Sequence, residues 1–333
     1  MQHQQSILVY VVSDTLESGL VRLPFVRALR ACYPSAHITW LAGQGESVYA
    51  GDLAPLVRGL IDEVISHGGV SGRWRELFGR SPLNGRSFDL IIVTQTHTAT
   101  TLTLKRIRHE RFISASRLPG VVLGARGRDL LRPPSVLGQL LALLLFETGA
   151  GLPPLSPLVC DSRTEDEADH RLPGGEIYVG IAPGADCRQK CWPLDNYIAL
   201  ALRQAKLGNR PVILLGPGER EWEGEFRDVV PDAIFPLETG GSPLLTIALG
   251  RRLHFAVTND SVIGHMLAVS EVPLISLFGP TSPLDCAPAT PWLNIVRSQD
   301  YGGRAEMVDI PLTAVHDVSE RILEKYAQAA VIP

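Results

Sequence analysis

This sequence predicts an α/β protein of two doubly wound parallel-sheet domains facing a cleft, on three observations. Short β-branched runs alternate with stretches of helical spacing over residues 7–93, and the same alternation restarts at residue 177. Between the two series lies a stretch rich in Pro, Gly and acidic residues. The chain has 333 residues, more than one ordinary core of about 100–200 residues holds.

Each element follows from its residues. Ile7–Val12 is short, β-branched and bounded by polar residues, as a strand buried on both faces should be. Val21–Cys32 has helical spacing, with Leu23, Val26, Leu29 and Ala31 among arginines, and Tyr33-Pro34 stops it. Ala36–Leu41, Ile61–Ile65 and Phe88–Val93 read as further strands. Strand, helix, strand in this rhythm implies βαβ units and a parallel sheet. The break runs through the turn formers Gly149–Pro157, the acidic run Asp161–Asp169 and Pro173-Gly174-Gly175. Ile177–Ala182, Pro211–Leu215, Ala233–Phe235, Phe255–Thr258 and Pro273–Phe278 are the strands of the second series. Leu194–Gln204, Trp222–Val229, Leu244–Gly250 and Gly264–Val269 are its helices, and Leu312–Ala330 is a terminal amphipathic one. The expected organisation is a first Rossmann-like domain over 1–155, a linker over 156–176 and a second Rossmann-like domain over 177–312. A terminal helix over 313–333 has the first domain as a candidate packing partner.

The composition is 45% hydrophobic and 20% charged, an ordinary globular profile. The longest apolar run, Val136–Phe146, carries Gln139 and falls short of the roughly 20 apolar residues of a spanning helix. Met1–Ser6 lacks the basic start of a signal peptide. Five scattered cysteines suggest a reducing compartment, so a cytoplasmic location is expected. Cys187 and Cys191 have C-x3-C spacing but no second ligand pair, so no metal site is expected. The net charge of −4 is unevenly spread: residues 1–135 sum to +6 and residues 136–333 to −10. The basic part, with arginines over 73–86 and 105–132, suggests an anionic partner such as a phosphorylated substrate or a membrane surface. Zinc-finger spacing and RNA-binding aromatic motifs are lacking, so nucleic acid is not expected as a partner.

Ligands of doubly wound sheets sit beyond the carboxyl ends of the strands, so the strand-to-helix turns carry the candidate chemistry. Ala182–Pro193 follows a strand and opens a helix. Its Gly184 allows close backbone approach, and its Arg188 and Lys190 can pair with phosphate. Leu214–Glu219 contains a Gly-Pro-Gly turn with room for a flat ligand, and Glu219 can accept ribose hydroxyls. In Val257–His265, Asp260 and Ser261 stand where a helix cap belongs, and His265 lies just over one turn on. Each turn has a plain structural reading as well: a polar loop, a surface turn, and a helix cap followed by a core histidine.

Together the turns resemble the heptosyltransferase family, which builds the inner core of lipopolysaccharide from ADP-heptose. The resemblance rests on Pro183-Gly184-Ala185, Lys190-Cys191-Trp192-Pro193, Thr258-Asn259-Asp260-Ser261 with His265, and Phe278-Gly279-Pro280-Thr281, in that order and spacing. It covers most of residues 177–290 and is looser over 6–120. It implies a glycosyltransferase B-type fold, with the nucleotide sugar held by the second domain and the acceptor by the first. It also implies that Gly184, Ala185, Arg188, Lys190, Glu219, Asp260, Ser261 and His265 contact the donor, Lys190 at the diphosphate and Glu219 at the ribose. The implied reaction is a metal-independent transfer with inversion. The donor would be a nucleotide sugar such as ADP-heptose, and the acceptor an anionic glycolipid or glycan. A cytoplasmic protein in peripheral contact with the inner membrane surface, without a cofactor, fits that chemistry.

Two positions depart from the family pattern. The family's first strand leads into a Gly-Asp pair, and Glu17-Ser18 occupies that place here. The basic carboxylate is then Asp14 or Glu17, with Asp14 favoured because it follows the strand directly and has the shorter side chain; His97 is a third candidate. Val262 replaces the glycine after Asp-Ser. These departures motivate an alternative, a catalytically impaired nucleotide-sugar-binding or partner protein of the same fold. A third reading is a different two-domain nucleotide-sugar enzyme such as an epimerase.

Overall fold

A computed structural model describes residues 4–114 apart from 80, 84 and 96, then 135–155 apart from 150, then 158–237 and 241–329. Much of the arginine-rich stretch 105–132 and the turn residues 156 and 157 therefore lie outside the described residues. The chain divides into two compact units, Met1–Val159 and Cys160–Pro333.

The first unit is a parallel five-stranded sheet of β1 (Ser6–Val11), β2 (His37–Ala42), β3 (Glu63–Ile65), β4 (Ser87–Val93) and β5 (Arg108–Ser114), in the order β3-β2-β1-β4-β5. β1 is central because Ile7 through Val11 are apolar on both faces and wholly buried. It registers Ser6 against His37 on one side and Ile7 against Leu90 on the other. β5 has no counterpart in the sequence reading. As an edge strand it exposes Arg108, Glu110 and Arg111 and carries no apolar run. Helix α1 (Leu16–Cys32) begins five residues before the expected start. Thr15 and Ser18 form a reciprocal cap there, so Glu17 sits in the first helical turn. α2 (Thr98–Leu104) and α3 (Val136–Thr148) complete the unit. α3, the longest apolar run, is closed by Gly149 at φ 64° and buries Leu140, Leu143 and Leu144. Among the described residues no helix is long and apolar enough to cross a membrane.

The second unit repeats the plan with β6 (Tyr178–Ala182), β7 (Arg210–Ile213), β8 (Phe255–Asn259), β9 (Leu274–Phe278) and β10 (Leu293–Arg297), ordered β10-β9-β8-β6-β7 and all parallel. Its sheet is buried on both faces. Val179, Ile181, Phe255 and Val257 face a cluster containing Trp192, Tyr197 and Phe226, while Tyr178, Ala182 and Ala256 face Leu245, Leu249 and Leu267. Ala233–Phe235, expected as a strand, makes one isolated bridge between Ile234 and Val212.

The structure adds detail to two expectations. The stretch read as a linker contains helix α4 (Ser162–Arg171), capped by Asp161 and rooted through Ala168 and Leu172 in the second unit's core. Two acids of its run are paired, Glu165 with Arg251 and Asp169 with Arg252. After α5 (Leu194–Lys206), α6 (Glu223–Val229), α7 (Pro243–Gly250), α8 (Val262–Val269) and α9 (Pro283–Cys286), the terminal helix α10 (Leu312–Ala329) lies on the second unit's own sheet. Its Val315, Val318 and Ile322 join the Trp192 cluster.

Candidate functional site

In each sheet the chain reverses its direction of winding between two neighbouring strands, β1 and β4 in the first unit and β6 and β8 in the second. In the second unit three predicted turns converge at that reversal. Gly184 and Glu219 meet closely enough that a Cβ at 184 would stand 2.5 Å from the Glu219 Cδ, and one at Gly216 would stand 2.6 Å from its Oε2. Only glycines leave room for that carboxylate.

Lys190 is the charged centre. Its Nζ lies 3.1 Å from Asp186 Oδ1 and 3.3 Å from Asp260 Oδ2. Burial would lower the ammonium's pKa, but the hydrogen bond to Asp186 and the charge of Asp260 outweigh it and hold the pKa above its usual value. Asp260 Oδ2 is buried, and Lys190 is its ion-pair partner. α5 starts at Pro193 without a side-chain cap.

A buried amide holds this arrangement. Asn259, wholly buried, accepts from the Trp192 N–H at 3.1 Å and the Tyr197 hydroxyl at 2.8 Å, and donates to the Pro183 carbonyl at 2.6 Å. The loop carrying Lys190 is thereby fastened at both ends to the strand that presents Asp260. Trp192 Nε1 donates to Ile310 O at 2.9 Å and anchors the loop below. Asn259 and Trp192 stand inside the quoted motifs without an assigned role, and Asp186, four residues before Lys190, went unremarked; their spacing to Lys190 and Asp260 was the available signal.

The remaining site residues fall into place individually. Ala185 is half-buried in the loop. Arg188 is exposed, pairs with Glu221 at 2.7 Å and lies 5.6 Å over the Trp222 ring, so it bridges to the second turn and stands apart from Lys190's carboxylates. Ser261 caps α8 through the Gly264 N–H at 3.2 Å, as the capping reading expected. His265 is buried, 3% exposed, and Val262 occupies the first helical position, half-buried. Cys187 and Cys191 are free thiols, and the Cys191 thiol faces the Cys187 carbonyl at 3.5 Å. A small pocket beyond β7 is lined by Leu215, Arg220, Glu223, Phe235 and Leu237.

In the first unit Asp14, the carboxylate favoured as the base, is buried. Its side chain has no exposure, and its carboxylate accepts from Arg22 at 3.2 Å, Trp40 Nε1 at 3.0 Å and Ser47 Oγ at 2.5 Å. These three donors occupy the Asp14 carboxylate in this structure. Glu17 and His97 are both exposed, Glu17 in the first turn of α1 and His97 at the start of α2.

Two doubly wound sheets, with a lysine–carboxylate cluster beside glycine turns at the second reversal point, define a glycosyltransferase B-type fold. The family profile "Glycosyltransferase family 9 (heptosyltransferase)" matches residues 79–309, well over half the sequence, and the chain belongs to that family. A lipooligosaccharide heptosyltransferase 2 of Haemophilus influenzae is 33% identical over 137 residues, a stretch spanning only 39% of either protein. The lipopolysaccharide core heptosyltransferase OpsX of the same organism is 21% identical over 85% of this chain and 82% of its own. Among solved structures, a family 9 glycosyl transferase from Veillonella parvula superposes with a TM-score of 0.72 at 18% identity, covering 98% of this chain and 99% of that one. E. coli heptosyltransferase WaaC with ADP superposes at 0.68 with 17% identity over 96% and 100%. At these identities the superpositions establish the fold.

Proposed function

We propose that this chain transfers a heptose or similar sugar, with inversion, from ADP-heptose or a related nucleotide sugar to a lipopolysaccharide-core or related glycan acceptor. The observation that carries the reading is Lys190, held between Asp186 and Asp260 beside Gly184 and Glu219. An ammonium on the loop that leads into a helix is suited to a diphosphate, and the Asp260 carboxylate beside it to a sugar hydroxyl. Glu219 would take the ribose hydroxyls, and the open Gly216-Pro217-Gly218 turn would leave room for the flat base. Charge on the departing diphosphate would be met by Lys190, by Arg188 swinging from Glu221, and by the uncapped start of α5, without a metal ion. The relatives support this assignment, being described as heptosyltransferases, one of them solved with ADP.

The base falls to Glu17. It has the exposure Asp14 lacks and stands in the turn after β1. Deprotonating the acceptor hydroxyl while it attacks the anomeric carbon opposite the nucleotide inverts that centre. The direct experiment is to incubate the protein with ADP-heptose and a heptose-free core acceptor, following ADP release and product stereochemistry. Inverted product with ADP released supports the reading. Tight ADP binding without turnover, with the acceptor supplied, assigns the chain to the impaired binding protein instead.

A further inference from the structure

We propose that the turn Trp74–Phe78 is a membrane-docking surface that seats the first unit on an anionic bilayer. Phe78 is 90% exposed and Trp74 59%, two large rings left in water on one five-residue turn. Arg73 and Arg75 flank them, exposed and without an ion pair among the described residues. Four other arginines of this unit are paired with carboxylates: Arg22 with Asp14, Arg30 with Asp62, Arg86 with Glu63 and Arg111 with Glu147.

The turn is built to present these groups. Its one carboxylate, Glu76, folds inward and accepts the Ser71 N–H at 3.0 Å and the Gly72 N–H at 3.1 Å. Arg106 clasps the other side, donating to Glu76 O at 3.0 Å and Gly79 O at 2.6 Å, and adds a third guanidinium. The outward side therefore offers aromatic rings and cations on a fixed backbone. Indole and phenyl rings partition to the headgroup boundary, and guanidinium groups pair with lipid phosphates there. A soluble phosphate would not call for two exposed rings, and an apolar protein face would not call for three guanidinium groups. The inference goes beyond the proposed transfer, and its test needs no turnover.

The test is co-sedimentation with phosphatidylcholine vesicles with and without phosphatidylglycerol. The wild-type chain should bind the phosphatidylglycerol vesicles and release them at high salt. Trp74→Ala with Phe78→Ala should abolish most binding. Arg73→Ala with Arg75→Ala should weaken it about 30-fold, at the usual contribution of a basic residue near an anionic surface. Melting temperatures should not move, because all four side chains are exposed. Absence of wild-type binding, or binding by the aromatic double variant equal to wild type, overturns the proposal. It is also overturned if the variants keep vesicle binding but lose turnover on an acyl-free acceptor, which would make the turn a glycan subsite. Vesicle binding by a chain that turns over no nucleotide sugar would leave this inference standing and sink only the proposed transfer.

Discussion

Three side chains separate the chemistry from the scaffold. Lys190 is partly open to solvent, at 22% exposure, and its nearer partner Asp186 is 69% exposed. Lys190→Ala should therefore reduce ADP affinity by about 10–100-fold, the loss of one charge-assisted contact, while stability falls by less than about 2 kcal/mol. Calorimetric titration with ADP beside a denaturant melt checks both, and unchanged affinity with a larger stability loss would make the residue structural. Asp14 is the opposite case. Asp14→Asn leaves Arg22 buried without its counter-charge, so it should cost about 3 kcal/mol of stability. Glu17→Gln should leave stability alone and lower turnover about 10²–10⁴-fold with donor binding intact. If Glu17→Gln turns over normally, His97 is the next base to test.

Among elements, the loop Pro183–Pro193 owes its shape to β8. The Asn259 carboxamide holds both loop ends, so Asn259→Leu leaves the Trp192 N–H, the Tyr197 hydroxyl and the Pro183 carbonyl unpartnered in the interior. Each such group costs about 1–3 kcal/mol, so a lower melting temperature together with weaker ADP binding is the expected outcome. Normal ADP affinity in a folded Asn259→Leu protein would separate the loop from the donor. This dependence was only half legible beforehand. The motif that contains Asn259 was recognised, but hydrogen bonds spanning 62 to 76 residues leave no periodic trace in a sequence. Three of the elements absent from the sequence reading share a cause. β5 and β10 lie at sheet edges, and α4 is an acidic helix stabilised by arginines far along the chain, so none carries the apolar pattern that marks buried elements.

At the scale of the whole molecule, three separate turns of the second unit are assigned to one ligand. Saturating ADP should slow amide exchange together in 183–193, 214–222 and 257–265, because a ligand stabilises only states that keep its site assembled. Protection confined to one turn would contradict a shared site. The sequence by itself determined the two doubly wound units, their central strands and the family. Those rest on local facts: runs such as Ile7–Val11 are apolar on both faces, and Gly184, Lys190 and Asp260 stand at strand ends where the sheet must open. Only the tertiary structure shows that Asp14 is buried and Glu17 exposed. Asp14 follows its strand as a base should, yet Trp40 and Ser47, 26 and 33 residues further on, close over it. The same long-range folding gave Lys190 its second carboxylate, left the 71–79 turn facing outward with its rings and arginines, and laid the terminal helix on the second sheet. Burial and charge pairing are properties of residues brought together from distant parts of the chain, and order along the chain does not encode them.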